Sequence, residues 1–347
     1  MRRAHRGAGG SALPRPRAST ARRALPRDSN GQIARVVVRD RFVGKARADA
    51  YPDAMAHRRA AACLVNAARL DFDAKLDLSK IADACGGASC LTRHDDSTPS
   101  PAVIATRATN HDILITKEVP VDVHLLPPSV KLICEAGTGY NNVDLDAAKR
   151  RGIVVCNVPT YSTDAVAHLV VTHVLNFSAS IVHQQRMLAR GDRSNFAGPK
   201  LTHAHDEVGG KTIGLVGGTG AIGAKVADIA AALGMKTLVW SRRATTTARW
   251  EAARSLHDLL ERSDYVSVHC PLNAETRHLI DAVALGKMKK TAYLINTARG
   301  GVVCEEDLVD ALKKGTIAGA GLDVQEMEVR SIHWFPYDRV GVVNADP

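Results

Sequence analysis

The residues with the clearest chemical purpose are three glycines within six positions. Gly218-Thr219-Gly220-Ala221-Ile222-Gly223 fits G-x-G-x-x-G. That spacing suits a backbone wrapped around a pyrophosphate: Gly218 for a tight turn, Gly220 for close approach of chain to phosphate, Gly223 for packing helix on strand. Ala221 and Ile222 lie at the start of the helix, where aligned peptide dipoles place about half a positive charge. About 20 residues further on, an NAD site carries Asp or Glu to accept hydrogen bonds from the adenosine ribose. Here that place holds Ser241-Arg242-Arg243. A carboxylate would repel the 2′-phosphate of NADP, whereas two guanidiniums and a hydroxyl bind it through charge-assisted hydrogen bonds. The expected cofactor is therefore NADP(H), with NAD(H) the alternative if both arginines are only solvated surface charges.

Those residues need a strand, a turn and a helix to place them. Lys211 to Val216 is a short apolar run that suits a buried strand, stopped by Gly217-Gly218. Ala221 to Leu233 has helical spacing, Gly234 ends it, and Thr237 to Trp240 starts another strand. A glycine-rich turn serving only packing is the bland alternative. Upstream, strand-like runs stand at 62–65, 112–116, 130–135 and 152–156; Asn157-Val158-Pro159 breaks the pattern. Ser162 to Leu188 then reads as one long helix, capped by Ser162 or Thr163. Downstream, strands are expected at 264–269, 292–296 and 317–324, with helices at 256–262 and 305–314. The fold class is α/β: a Rossmann-type doubly wound parallel sheet over 159–347 and a second α/β domain over 61–158, with the ligand cleft between them.

The chain of 347 residues carries a net charge of +10, which resembles a nucleic-acid signal until it is located. Residues 1–60 hold 15 of the 46 Lys+Arg and 4 of the 36 Asp+Glu, leaving 31 and 32 beyond, so the body is about neutral. Met1 to Arg27 is Arg-, Ala-, Pro- and Gly-rich and cannot bury enough apolar surface to fold alone. It reads as disordered, either an organellar transit sequence or an upstream extension without a role. No aromatic residue interleaves its arginines, which argues against a nucleic-acid arm. Seven cysteines (Cys63, Cys85, Cys90, Cys134, Cys156, Cys270, Cys304) without C-x-x-C pairs fit reduced thiols in the cytoplasm rather than a disulfide frame or a metal site. The most apolar run, Ala165 to Val182, is interrupted by His168, His173 and Asn176, so no membrane span is expected.

Five ordered stretches carry a resemblance. GTGYNNVDLDAAKRRGIVVCNVPTYSTDAVAHLV (Gly137 to Val170), the Gly218 fingerprint, HCPLNAETRHLI (His269 to Ile280), LINTARGG (Leu294 to Gly301) and GAGLDVQEME (Gly319 to Glu328) resemble the D-isomer-specific 2-hydroxyacid dehydrogenases. The resemblance implies a flavodoxin-like substrate domain and reduction of a small 2-keto acid (pyruvate, glyoxylate or hydroxypyruvate) with NAD(P)H. It implies that Arg299 grips the substrate carboxylate and keto oxygen, and that Glu328 orients a proton-donating histidine, with Glu326 the alternative. Thr138 and Gly139 would present backbone N–H groups to the substrate carboxylate, and Tyr161 would contact substrate or else pack at the domain junction. His269, Pro271 and Thr297 would border the cofactor, and Asp323 would lie near its carboxamide. The helix after Ser162 would help form a homodimer.

The family's catalytic histidine follows a strand ending in Pro-His, and here Val340 to Pro347 resembles that strand and stops one residue short. The returning C-terminal helix would be absent too, and His333 carries no spacing argument for the cleft. Two alternatives therefore stand beside the reductase: a dinucleotide-sensing, corepressor-like protein, and a truncated product with little activity.

Overall fold

The structure, a computed structural model, describes residues 60–197, 201, 205–326 and 340–342. The basic segment therefore lies, apart from Ala60, outside the described residues, as do Glu328 and His333. Two sheets are present, both parallel throughout. The first holds β1 (Ala62–Leu64), β2 (Leu91–Arg93), β3 (Ile113–Thr116), β4 (Leu132–Glu135) and β5 (Val154–Cys156) in the order β2-β1-β3-β4-β5. The second holds β6 (Thr212–Val216), β7 (Lys236–Trp240), β8 (Glu251–Ala252), β9 (Tyr265–Val268), β10 (Tyr293–Asn296), β11 (Gly319–Leu322) and β12 (Val340–Val342). Its order is β12-β11-β10-β9-β6-β7-β8.

Counted from β6, the second order is the 3-2-1-4-5-6 of a doubly wound dinucleotide sheet with one strand added, and the first is the flavodoxin-like 2-1-3-4-5. The expected fold class is borne out. Parallel strands covered by helices on both faces are buried along their length, and every residue of β9 and β11 is buried. β2, β8 and the helix Pro101–Arg107 were not expected from the sequence, although Ser100-Pro101 is a readable helix start. Ser100 Oγ accepts from Val103 N, and Asp144, Ser255 and Asp281 cap their helices in the same way.

The expected single helix from Ser162 to Leu188 is two helices, Thr163–Ala179 and Ile181–Ala189, bent by 62°. The break is at Ser180, whose φ of 51° is left-handed. Its N–H closes the first helix on the Asn176 and Phe177 carbonyls, while Asn176 Oδ1 accepts from Val182 N at the start of the second. A short polar side chain thus competes with the helix ladder and wins. The expected cap also differs: Ser162 makes no side-chain cap bond, and its Oγ lies 3.4 Å from Thr138 Oγ1. Among the described residues no single helix is long and apolar enough to cross a membrane.

Thr163–Ala179 follows the Pro159 break and packs on the second sheet. Its Ala167, Val170 and Val174 share a core with Val226, Ala227 and Ala230 of the helix Ala221–Ala232. On the same helix, His173 is 2% exposed, with its ring against Gly321 of β11. It begins an aromatic stack that runs through Phe177 (6.0 Å) to Tyr293 (4.3 Å) and on to Tyr265 (5.8 Å). Burial pushes its pKa down from 6.5 to about 4, and Nε2 is buried without a partner.

A histidine with a depressed folded pKa takes up protons first in the unfolded chain. Its contribution is therefore complete above pH 6.5 and is lost as pH falls towards about 4. Urea denaturation at pH 4.5, 5.5 and 7 is expected to show stability rising with pH, His173 supplying up to about 3 kcal/mol of the change. His173→Gln is expected to reduce that slope, the buried His269 keeping part of it; an unchanged slope would remove His173 as a source.

Candidate functional site

β6 delivers the chain to the glycine turn. Gly217, one residue before the motif, takes the left-handed conformation at φ 80°, and a Cβ there would lie 2.8 Å from backbone atoms of Cys270. The tight turn expected of Gly218 is thus made by Gly217, while Gly218 clears the Leu215 side chain, which a Cβ would approach to 2.4 Å. Gly223 packs as expected, since a Cβ on it would meet the Gly218 carbonyl at 2.2 Å. Gly220 differs from both: a Cβ there meets nothing within 4 Å. It is the residue before the helix Ala221–Ala232 and offers no capping side chain, so the first-turn amides of Ala221, Ile222 and Gly223 are left without a side-chain cap beside that open space. An open, uncapped helix start beyond a packed turn fits the pyrophosphate of a dinucleotide.

At the end of β7, Arg242 Nη1 is 2.8 Å from Glu275 Oε2, with both side chains largely exposed. Glu275 is held in place by a turn in which Asn273 Oδ1 accepts from Glu275 N and Thr276 N. Ser241 is half-buried and Arg243 exposed beside it. His269 and Pro271 lie on the segment after β9, where His269 N donates to the Val216 carbonyl. The His269 ring has its pKa pushed down by burial to about 4, so it is neutral at pH 7, and Nε2 has no partner. Thr297 is buried with its Oγ1 likewise unpartnered. Two buried polar atoms in one neighbourhood are the sort of groups a bound ligand satisfies.

Arg299 follows β10 on a turn built by Asn296, which is 1% exposed. Asn296 Oδ1 accepts from Ala298 N at 3.1 Å, and Nδ2 donates to the Arg299 carbonyl at 3.0 Å. The guanidinium reaches the loop after β4. Nε donates to Asn141 Oδ1 at 3.0 Å, Nη1 donates to the Ala298 carbonyl at 2.8 Å, and Nη2 lies 1.5 Å from where a Cβ on residue 139 would be. Only glycine at 139 admits this placement. Thr138 is tied to the crossing segment: Oγ1 donates to the Val158 carbonyl at 3.1 Å, and its own carbonyl accepts from Asn157 Nδ2 at 2.8 Å. Tyr161 is 60% exposed, and its hydroxyl lies 3.4 Å from Lys117 Nζ. The structure thus brings Arg299, Thr138 and Gly139 together at one place, with Tyr161 close by.

Two acids behave differently from each other. Asp323 is half-buried, its N–H donating to the Asn296 carbonyl at 3.0 Å. Glu326 accepts from His278 Nε2 at 2.8 Å and from Arg277, and its N–H donates to Glu305 Oε2. This pairing clasps the turn after β11 onto the 277–278 segment. Sequence reasoning overlooked Lys117, Glu135 and Asn141. Asn141 was visible in the Tyr140-Asn141-Asn142 run, but a lone Lys or Glu beside a strand gives no signal. Among the described residues no cluster of three or more His, Cys, Asp or Glu could hold a metal ion.

Residues 171–342 match the family model for D-isomer specific 2-hydroxyacid dehydrogenase, NAD binding domain. The chain is 41% identical over 223 residues to a glyoxylate reductase of Thermofilum pendens, covering 62% of this chain and 64% of that protein. It is 33% identical over 244 residues to a hydroxypyruvate reductase of Blautia hydrogenotrophica, covering 69% and 76%. The matched part thus falls short of two thirds of the T. pendens protein and exceeds it in the other. Among solved structures it is similar to an NADPH-dependent glyoxylate/hydroxypyruvate reductase from Sinorhizobium meliloti in complex with NADP and malonate. The TM-score is 0.69 at 25% identity, over 82% of this chain and 86% of that one.

The open space at Gly220 gives a clean test. Gly220→Ala is expected to leave the melting temperature within about 2 °C of the parent, since the added methyl meets no protein atom, and to weaken NADPH binding roughly tenfold or more. Gly223→Ala is expected to unfold the turn instead. Unchanged NADPH affinity in Gly220→Ala by fluorescence titration would place the phosphates elsewhere.

Proposed function

The chain belongs to the D-isomer-specific 2-hydroxyacid dehydrogenases, and on that premise we propose that it reduces a small 2-keto acid to the D-2-hydroxy acid with NADPH, or with NADH. The observation that carries this reading is the seat of Arg299 on Gly139. A guanidinium anchored by Asn141 and the Ala298 carbonyl keeps further N–H donors directed over the Gly137-Thr138-Gly139 loop. A planar fork of donors suits a carboxylate beside a ketone whose oxygen gains negative charge in the transition state. Bound nicotinamide supplies the hydride, which is chemistry no side chain can perform.

The chain's own part is to bind, orient and charge-stabilise. Gly218, Gly220, Ala221, Ile222 and Gly223 hold the pyrophosphate, with His269, Pro271, Thr297 and Asp323 along the rest of the cofactor. Backbone amides at Thr138 and Gly139 and the Tyr161 ring hold the substrate, and the family resemblance gives Glu328 the role of orienting a proton-donating histidine.

Preference for NADPH is supported by the lack of any carboxylate in Ser241-Arg242-Arg243. Arg242 already holds an anionic partner in Glu275, which a 2′-phosphate would replace. All seven cysteines are free, in keeping with a reducing cytoplasmic setting. A homodimer is supported by Leu175, Ile181 and Leu188, which are exposed along the bent helix pair.

Two measurements test the reading. With glyoxylate and hydroxypyruvate as substrates, Arg299→Met is expected to lower kcat/KM by about 10²-fold or more while NADPH still binds. NADPH binding by the parent without turnover of any keto acid would favour the dinucleotide sensor instead. Arg242→Ala/Arg243→Ala is expected to weaken NADPH binding roughly 10- to 100-fold and NADH binding by far less. Equal losses for both cofactors would remove these arginines from phosphate recognition.

A further inference from the structure

Lys117 is a charged residue whose placement the fold controls closely. Asn66, fully buried, clamps its backbone from both sides, accepting from Lys117 N at 3.0 Å and donating to Lys117 O at 2.7 Å. The next residue is fixed by Glu135, 1% exposed, whose Oε1 accepts from Glu118 N at 2.9 Å. Glu135 Oε2 accepts from Thr116 Oγ1 and Asn142 Nδ2, each at 2.8 Å. The Lys117 side chain is only 15% exposed, unusual for a flexible cation that nothing requires to be ordered.

Its ammonium lies beside the same loop that Arg299 covers. Nζ is 3.1 Å from the position a Cβ on Gly137 would take, and Arg299 occupies the corresponding position on Gly139. The two cations thus border a loop whose ends are at most roughly 7 Å apart, two residues of extended chain. Of the three ammonium donors, one faces Glu118 Oε1 at 3.0 Å and one the Tyr161 hydroxyl at 3.4 Å. Among the described residues the third has no hydrogen-bond partner. Burial lowers the Lys117 pKa, but Glu118 and Tyr161 outweigh it and the net shift is upward, so the side chain stays cationic.

We propose that Lys117 sets substrate specificity, its ammonium donating to a hydroxyl on the carbon next to the keto group, so that the preferred substrate is a 3-hydroxy-2-keto acid. This rests on the reductase reading above and narrows it. The charges decide between possible distal groups. Glu118 Oε1 and Glu135 Oε1 lie 3.6 and 3.3 Å from that same Gly137 position, so two acids face one lysine there. A second carboxylate on the substrate would meet net repulsion. A methyl group, or the bare hydrogen of glyoxylate, would leave the third donor without a partner. A neutral hydroxyl satisfies it.

The test is binding rather than turnover, on the full chain saturated with NADP+. Calorimetric titration with D-glycerate and with glycolate, the two products, gives a ratio of affinities. The parent is expected to favour D-glycerate by roughly tenfold or more, and Lys117→Met to bring the ratio close to one. Lys117→Gln, which keeps a neutral donor, is expected to restore part of the preference.

A Lys117→Met variant that weakens both ligands equally and leaves the ratio intact would show a structural role and overturn the proposal. So would a parent that binds glycolate as tightly as D-glycerate, or one that binds tartronate, with its second carboxylate, more tightly than D-glycerate. A parent that binds NADP+ but none of the three acids would overturn the reductase reading together with the proposal.

Discussion

A guanidinium resting on a glycine joins the working ends of two sheets. Arg299 leaves the carboxyl end of β10 and lies over the loop that leaves the carboxyl end of β4, in contact so close that a side chain on residue 139 would displace the guanidinium. Everything around that contact is arranged to keep it. Asn296 spends its buried amide on the turn that aims the arginine, and Asn141 takes Nε from the opposite side. A lysine in the same place would offer a point charge without the planar fork, and could not hold Asn141, the Ala298 carbonyl and an anion together.

The first sheet contributes a polar scaffold rather than a second apolar core at this end. Asn66, Thr116 and Glu135 are all buried: Asn66 holds the loop after β3 at Lys117, and Glu135, which accepts from Thr116, holds that loop at Glu118 and the loop after β4 at Asn142. Fully satisfied buried networks of this kind rigidify the loops they hold, whereas a partly satisfied one would be costly. The loops after β3 and β4 are therefore fixed by side chains belonging to strand ends and to the segment after β1.

The second sheet was readable because its signals are local. A β-branched run, a glycine pair and a helical repeat fall within some thirty residues, and each implies the next. Arg299 and Gly139 were readable only through their motifs, since 160 positions separate them and no periodicity links them. Lys117, Glu135 and Asn66 were not legible for the same reason: their roles exist only once β1, β3 and β4 are side by side. The break at Ser180 was missed because nothing marked it in the usual way. No glycine or proline stands there, and the break is made by a local bond from Val182 N to Asn176 Oδ1 across a left-handed serine, which no residue type announces. The tight turn was displaced by one residue, from Gly218 to Gly217, because a glycine doublet does not say which member turns.

The crossing from first sheet to second has a mechanical side. Among the described residues the chain passes between them at 157–162, and that short span is stitched to the Thr138 loop by Asn157, by the Val158 carbonyl and by Ser162. The stitched loop is the one Arg299 presses upon. Those fasteners hold the crossing span to the first sheet, so the contact that would part if the two sheets separated is the one between Arg299, which follows β10, and Gly139 and Asn141, which follow β4.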